Sequence, residues 1–171
     1  MKRLIALLAL VSISFTAIAD EGMWLLPYIK KMNEKDMKAH GAKLKAEDIY
    51  SAEKSSLKDA IIIFGGGCTG EIVSPEGLIF TNHHCGYDAI QALSSVENDY
   101  LTNGYWAQSI AEELPCRGLK VDILVRMEEV TDRLAAGETK ADIIAKAEAE
   151  GVGYRATVES MYYGNIAYLF I

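Results

Sequence analysis

The stretch over residues 65–87 constrains the fold most, and it reads G-G-G-C-T-G-E-I-V-S-P-E-G-L-I-F-T-N-H-H-C-G-Y. Two short apolar runs, residues 71–73 and 78–81, are separated by the tetrapeptide Ser-Pro-Glu-Gly at residues 74–77. Serine at the first position, proline at the second and glycine at the fourth suit a type I β-turn. The pattern therefore predicts a β-hairpin whose second strand ends in two histidines and a cysteine.

The first nineteen residues have the three parts of a secretory signal peptide. Lys2 and Arg3 form a basic start, residues 4–13 are an apolar run, and Ala17-Ile18-Ala19 is a small-x-small cleavage site. The apolar run is shorter than the roughly 20 residues of a membrane span, so an uncleaved anchor is the less favoured alternative. We predict that residues 1–19 are a signal peptide, that the mature chain is exported, and that no stable membrane insertion remains after cleavage.

The acidic balance of the chain argues against nucleic acid as a partner. The formal net charge of −7 becomes −9 once Lys2 and Arg3 are removed with the signal peptide. Nucleic-acid binding needs clustered Lys and Arg to contact phosphates. A partner of another chemical class is therefore expected.

Three cysteines, Cys68, Cys85 and Cys116, are present. Export places them in an oxidising compartment, where a disulfide is expected. Cys68 and Cys85 flank the hairpin, and a bond between them closes a loop of about 18 residues, which stabilises by on the order of 3 kcal/mol. Cys116 is left over, and it is either a free thiol or bonded to a cysteine outside this sequence.

The remaining segments predict short helices and strands. Asn33 and Asp36 stand in capping-box positions before a short helix that Gly41 ends, and Thr139 and Asp142 do so before a helix that runs to Gly151. Helical turns are predicted at residues 46–51 and 88–95, buried strands at 60–64 and 166–171, and a half-buried strand at 119–125. Because natural domains rarely end on a bare apolar strand, the sequence is expected to be part of a longer protein.

The histidines of the hairpin are the candidates for catalysis, because histidine is the usual general base beside a nucleophilic serine. Such a base needs a fixed position, which a strand end supplies, and a carboxylate to orient it. Asp122 and Asp132 follow in the sequence, but their contexts favour solvated surface carboxylates. No G-x-S-G segment exists, and the remaining candidates Ser55, Ser56 and Ser95 have loop or cap contexts, so no nucleophilic serine is identified.

A metal site is not expected at the hairpin. Adjacent residues on an extended strand point to opposite faces, so His83, His84 and Cys85 would not converge on one ion. His83 is interpreted as a packing or hydrogen-bonding neighbour, and His40, on a polar helix, as a surface residue. The sequence predicts no metal and no cofactor.

The segment T-N-H-H-C at residues 81–85 resembles the T-A-A-H-C segment of chymotrypsin-like proteases, whose histidine is the catalytic base. The comparison places His84, directly before Cys85, at the base position and Cys68 where the disulfide partner lies. The bacterial periplasmic heat-shock proteases carry a similar segment, V-x-x-x-G-x-x-x-T-N-N-H. That resemblance also selects His84 over His83.

The whole mature segment resembles serine peptidase family 46, the dipeptidyl-peptidase 7 and dipeptidyl-peptidase 11 group of Gram-negative bacteria. The matching stretches are D-E-G-M-W at 20–24, F-G-G-G-C-T-G at 64–70, T-N-H-H-C-G-Y-D-A-I-Q at 81–91, D-Y-L-x-N-G-Y-W-A at 99–107 and E-E-L-P at 112–115. The resemblance implies a mainly β fold with peripheral helices: a chymotrypsin-like double β-barrel, with residues 20–171 forming the N-terminal part of the first barrel. It also implies a homodimeric periplasmic or cell-surface enzyme that releases dipeptides from peptides with a free N-terminus.

In that family the triad aspartate lies in a G-G-D-T-D-N-W segment and the serine in a G-N-S-G-S-P segment, and this sequence contains neither. The resemblance therefore implies that the chain is the first quarter of such an enzyme and is inactive alone. D-E-G-M-W favours acidic substrates, whereas G-G-G-C favours apolar ones, so the preference stays open. The alternatives are a periplasmic trypsin-like endopeptidase and a secreted non-catalytic binding module on a degenerate protease barrel.

Overall fold

A computed structural model describes residues 22–171, so the predicted signal peptide lies outside the described residues. These residues form a mixed structure of seven α-helices and seven strands. The helices are α1 (Ile29–Met32), α2 (Glu34–Ala39), α3 (Ala46–Ile49), α4 (His83–Leu93), α5 (Tyr100–Asn103), α6 (Thr131–Ala135) and α7 (Lys140–Glu148). The strands are β1 (Ile61–Phe64), β2 (Cys68–Ile72), β3 (Ile79–Thr81), β4 (Val121–Ile123), β5 (Met127–Glu129), β6 (Thr157–Met161) and β7 (Ile166–Phe170).

The strands form two antiparallel sheets. One has the order β3-β2-β1-β4 and the other β5-β7-β6. No helix within residues 22–171 is long and apolar enough to cross a bilayer. The sheets are antiparallel, as expected. However, the helices contain more residues than the strands, so the described residues are a mixture of helix and sheet and not mainly β.

The predicted hairpin is present as β2 and β3, and its turn is confirmed. The Gly77 N–H donates a hydrogen bond to the Ser74 carbonyl at 3.1 Å, which closes a β-turn. The Ser74 hydroxyl oxygen also accepts from the Leu78 N–H at 3.1 Å. Gly77 has φ +87°, in the left-handed region that glycine adopts without steric cost. The local chemistry of these four residues is therefore enough to fix the turn.

Strand β1 coincides with the predicted apolar run, but it is buried only in part. Ile62 is 2% exposed, whereas Ile61 and Ile63 on the other face are 44% and 52% exposed. Phe64 pairs with Cys68, so three glycines form the loop to β2. The prediction of a buried strand therefore holds for one face only, because the other face of this antiparallel sheet carries no packed layer among the described residues.

The hydrophobic core lies around the second sheet. β7 is its central strand, pairs with β5 and β6, and buries Ala167, Tyr168 and Leu169, which confirms the buried strand predicted at residues 166–171. Helix α7 packs Ile143, which is fully buried, into the same cluster. The Thr139 hydroxyl oxygen accepts from the Asp142 N–H at 3.1 Å, so the predicted cap is confirmed, although α7 ends at Glu148.

Two other helix and strand predictions are partly wrong. Asn33 precedes α2 without a side-chain capping bond, and its amide is buried instead, whereas Gly41 ends the helix at φ +90° as expected. The strand predicted at residues 119–125 is only β4, because the chain then leaves the first sheet and enters the second as β5. Val125 donates to the Ile171 carbonyl at 2.7 Å at that crossing.

Two side chains that precede the hairpin bond the backbone at β5 and just before it. The Tyr50 hydroxyl accepts from the Met127 N–H at 2.8 Å and donates to its carbonyl at 3.0 Å. The buried Lys58 ammonium donates to the Leu124 carbonyl at 3.1 Å and pairs with the Asp59 carboxylate. These contacts hold the segment that leads into β1 against β5 and the connection between β4 and β5.

Candidate active site

Both hairpin histidines lie at the start of helix α4, not on a strand. Strand β3 ends at Thr81, Asn82 is extended at φ −76° and ψ 147°, and the helix begins at His83. The Cys85 N–H donates to the Asn82 carbonyl at 3.0 Å and closes the first turn. The helical turn predicted at residues 88–95 therefore begins five residues earlier. Asparagine is favoured before a helix, and this is the signal that could have located the start.

The histidine corner, which we define as residues 81–85 together with Cys68, is held by three contacts. Cys68, the first residue of β2, is bonded by a disulfide to Cys85, and their Cα atoms lie 6.0 Å apart. The Thr81 hydroxyl donates to the Thr69 carbonyl at 2.8 Å. Gly70 pairs with Thr81, and a Cβ on Gly70 would lie 3.1 Å from the Phe80 carbonyl, so the hairpin strands approach closely there.

His83 and His84 are both exposed but have different surroundings. Successive helix residues point about 100° apart, since a turn takes 3.6 residues. The ring of His83 contacts Tyr87 edge to face, with the ring centroids 6.0 Å apart. A ring nitrogen of His84 lies within 4.8 Å of the sulfurs of both Cys68 and Cys85. His84 directly precedes the disulfide-bonded Cys85, so the disulfide anchors its backbone, while the residue is exposed to solvent.

The candidate carboxylates lie away from the histidine corner. Asp122 is on β4, at the opposite edge of the sheet from β3, and its carboxylate pairs with Arg155. Asp132 is exposed on α6, beside the other sheet. Asp132 is solvated as predicted, whereas Asp122 is half-buried and ion-paired. Within residues 22–171, neither of these two carboxylates lies beside His84.

The serines have the structural roles that their contexts predict. The Ser56 hydroxyl oxygen accepts from the Ser51 N–H at 3.1 Å, at the start of a 3₁₀ turn. Ser95 accepts from the Asn98 N–H at 3.1 Å, and Ser55 is exposed in a loop. None of these three serines is therefore a candidate nucleophile beside His84.

The expectation that His83, His84 and Cys85 would not converge is corrected by the structure for His84 and Cys85. It assumed an extended strand, but the first turn of α4 and the disulfide bring Cys68, His84 and Cys85 together, with their ligand atoms within 4.8 Å of one another. In the disulfide the sulfurs are not thiolates, which are the form that binds metal ions.

His40 is exposed at the end of α2, with Nδ1 3.0 Å from the Asp36 carbonyl oxygen, as a surface residue should be. Cys116 is exposed and forms no disulfide among residues 22–171.

Comparison with known proteins identifies the class to which this site belongs. The family model described as Peptidase S46 matches residues 19–170, and the chain belongs to this peptidase family. "Dipeptidyl-peptidase 7" of Capnocytophaga gingivalis is 46% identical over 167 residues, which cover 90% of this chain and 23% of that protein. "Dipeptidyl-peptidase 7" of Phocaeicola vulgatus is 56% identical over 142 residues, 80% of this chain and 20% of that protein.

A relative with a different name and a solved structure also match this chain. "Asp/Glu-specific dipeptidyl-peptidase" of Capnocytophaga gingivalis is 43% identical over 185 aligned positions, which cover 100% of this chain and 26% of that protein. The crystal structure of Porphyromonas endodontalis DPP11 in complex with the dipeptide Arg-Glu superposes with a TM-score of 0.78 at 41% identity, covering 88% of this chain and 25% of that one. The chain thus spans about a quarter of the length of the curated relatives it matches.

Proposed function

We propose that this chain supplies the general base of an exported serine-type dipeptidyl-peptidase, and that His84 is that base. The observation that supports the assignment is the position of its ring, exposed at the start of α4 and directly beside a disulfide that joins two elements. A base must keep its position while it accepts and returns a proton, and such an anchor limits its movement. His83 lacks this anchor and packs on Tyr87.

In the proposed reaction His84 takes the proton of a serine hydroxyl as that oxygen attacks the peptide carbonyl. It then returns the proton to the leaving amine. The serine and the orienting carboxylate come from outside residues 22–171, because neither reaches His84 within them. We therefore expect the chain on its own to be inactive, since a base without a nucleophile and an oxyanion hole has nothing to activate.

We propose that residues 20–171 are the N-terminal portion of the peptidase domain and that the four-stranded sheet belongs to the first of two chymotrypsin-like barrels. Ile61, Ile63 and Phe80 share one face of that sheet and are 44–54% exposed. Thr69 and Glu71 of β2 lie on the same face, between the two isoleucines and Phe80, so this face is of mixed polarity and does not by itself argue for a covering layer. The similarity to DPP11 over 88% of this chain supports the same fold.

The proposed substrates are peptides with a free N-terminus. Relatives named dipeptidyl-peptidase 7 and relatives named Asp/Glu-specific dipeptidyl-peptidase match this chain at similar identity, 46% and 43% in Capnocytophaga gingivalis. We propose that the residues choosing between acidic and apolar side chains lie in another part of the enzyme. The signal-peptide pattern of residues 1–19 supports a periplasmic or cell-surface location, and the full-length enzyme is proposed to be a homodimer.

The test compares two adjacent histidines in the full-length enzyme. His84→Ala should lower kcat/KM on a fluorogenic dipeptide substrate with an unblocked N-terminus by on the order of 10⁴-fold or more, as loss of a triad member does. His83→Ala, the matched control, should retain turnover within about tenfold. Near-wild-type activity of His84→Ala would refute the assignment. Equal cleavage of an N-terminally acetylated substrate by the unaltered enzyme would instead favour an endopeptidase, and cleavage of neither substrate a binding module.

A further inference from the structure

The histidine corner combines an imidazole and two cysteine sulfurs, and the proposed peptidase reaction uses only the imidazole. We propose that reduction of the Cys68–Cys85 disulfide turns this corner into a Zn²⁺ site with His84, Cys68 and Cys85 as ligands. Within residues 22–171 this is the one group of three His, Cys, Asp or Glu side chains whose ligand atoms approach closely enough to share an ion. Two sulfurs and one imidazole nitrogen suit Zn²⁺, whereas hard ions such as Mg²⁺ and Ca²⁺ need oxygen ligands.

Tetrahedral zinc sets the separations that the three ligand atoms must reach. Zn–S bonds of about 2.3 Å and Zn–N bonds of about 2.0 Å place two sulfurs about 3.8 Å apart and a sulfur and a nitrogen about 3.5 Å apart. A ring nitrogen of His84 lies within 4.8 Å of both sulfurs. The sulfurs of a disulfide are bonded at about 2.0 Å, so after reduction they must separate by about 1.8 Å.

The chain has room for this separation on the Cys68 side. Cys68 follows a loop of three glycines, and a Cβ built on Gly66 or Gly67 meets nothing within 4 Å. Gly66, at φ +84°, also adopts a conformation that only glycine holds readily. Cys85 lies in the first turn of α4, directly after His84. A small movement of the glycine loop can therefore separate the Cys68 sulfur from that of Cys85.

The reaction requires a dithiol as reductant. The dithiol transfers two electrons and two protons to the disulfide and becomes a disulfide itself, leaving Cys68 and Cys85 as thiols. Zn²⁺ then displaces one proton from each thiol, and the two thiolates balance the charge of the ion. His84 donates the lone pair of its neutral ring, and a water molecule fills the fourth position, as in zinc sites with three protein ligands.

Zinc binding would compete with the proposed role of His84 as a base. A ring nitrogen that coordinates the ion has no lone pair with which to accept a serine proton, so the reduced, zinc-loaded enzyme would be inactive. This consequence rests on the proposed function, whereas the metal site itself does not. The disulfide would then have two effects: it anchors His84 and it keeps the thiolates from forming.

The experiment measures metal binding directly. The full-length protein is reduced with a dithiol, separated from it without oxygen, and titrated with Zn²⁺ against a chromophoric chelator. Co²⁺ replaces Zn²⁺ in a parallel titration, because thiolate-bound tetrahedral Co²⁺ gives a charge-transfer band and intense visible bands. Reduced protein should bind one more equivalent of Zn²⁺ than oxidised protein and show both cobalt signatures. Equal stoichiometry in the two states, or cobalt bands without charge transfer, would overturn the proposal.

Adjacent residues again supply the matched controls. His84→Gln should weaken binding by more than the roughly 10–100-fold that loss of an outer-sphere partner costs, whereas His83→Gln and Cys116→Ser should bind as tightly as the unaltered protein. Equal affinity of His84→Gln and His83→Gln would overturn the assignment. Circular dichroism follows the fold of each reduced sample, and loss of structure that Zn²⁺ does not restore would also count against the site. If the proposed function is wrong, His84→Ala will retain full activity, and that result would not alter the outcome of the zinc titration.

Discussion

The disulfide between Cys68 and Cys85 should stabilise the histidine corner far more than the rest of the chain. In the four strands of its sheet, as the structure describes them, Ile62 is the only buried side chain. The hydrophobic core cluster lies instead within residues 130–171, around the other sheet. The hairpin sheet therefore has little apolar burial with which to replace a lost crosslink.

The size of the effect follows from the closed loop. The two cysteines are 17 residues apart in sequence, and closing a loop of that length removes chain entropy from the open state worth about 3 kcal/mol. Since about 1.4 kcal/mol corresponds to a factor of ten, local opening of the corner should become on the order of 100-fold more frequent without the bond. The second sheet has no such link and should be unchanged.

Hydrogen exchange followed by mass spectrometry separates the two regions. In the variant Cys68→Ser/Cys85→Ser, peptides from β2, β3 and the start of α4 should exchange up to about 100-fold faster, while peptides from β6 and β7 keep their rates. Cys116→Ser, which removes an exposed thiol outside the disulfide, should change neither region. Equal acceleration of both sheets, or of neither, would refute the argument that the bridge is the main support of this corner.

Two further predictions concern the second sheet. Ile143→Ala, at a fully buried core position, should lower the free energy of unfolding by about 2–5 kcal/mol. The same substitution at Ile110, which is 71% exposed, should change it by less than about 0.5 kcal/mol. Urea titration measures both values, and similar losses at the two positions would contradict the core assignment. Arg133 and Lys146 lower the pKa of Glu138 from 4.5 to about 2, so the ionised Glu138 stabilises the fold above pH 4.5 and this stabilisation is lost as the pH falls towards 2. Glu138→Gln should therefore be less stable than the unaltered chain at neutral pH, with the difference shrinking between pH 4.5 and 2; a constant difference would show that the ion pairs are not its cause.

The parts of the fold that the sequence predicted are those that local chemistry determines. The turn at residues 74–77 needs only its own serine, proline and glycine, and the cap of α7 needs only Thr139 and the N–H three residues on. A run of apolar residues predicts strand β7 and its burial, whereas the same signal at β1 predicts the strand but not how far it is buried. Each of these signals lies within about six residues, so no knowledge of the tertiary structure was required.

The features that the sequence did not predict depend on distant partners. Lys58 is buried because it bonds the Leu124 carbonyl 66 residues away, and Tyr50 bridges the backbone of Met127 77 residues away. Tyr162 and Tyr163 adopt φ +51° and +59°, an arrangement imposed by the β6–β7 connection and not by the preference of tyrosine. Lysine and tyrosine are usually read as surface or packing residues, so such roles leave no pattern in sequence.

The start of α4 shows how one local misassignment changes the chemistry of a site. If the histidines were on a strand, alternate residues would face opposite sides, and a base at His84 would be independent of the cysteine beside it. In the first turn of a helix, the same residues place the His84 ring within 4.8 Å of the cystine that anchors it. The base and the metal ligand are then alternative uses of one imidazole. Under both proposals, the oxidation state of Cys68 and Cys85 decides between them, so activity and zinc binding should vary in opposite directions as a single dithiol is titrated.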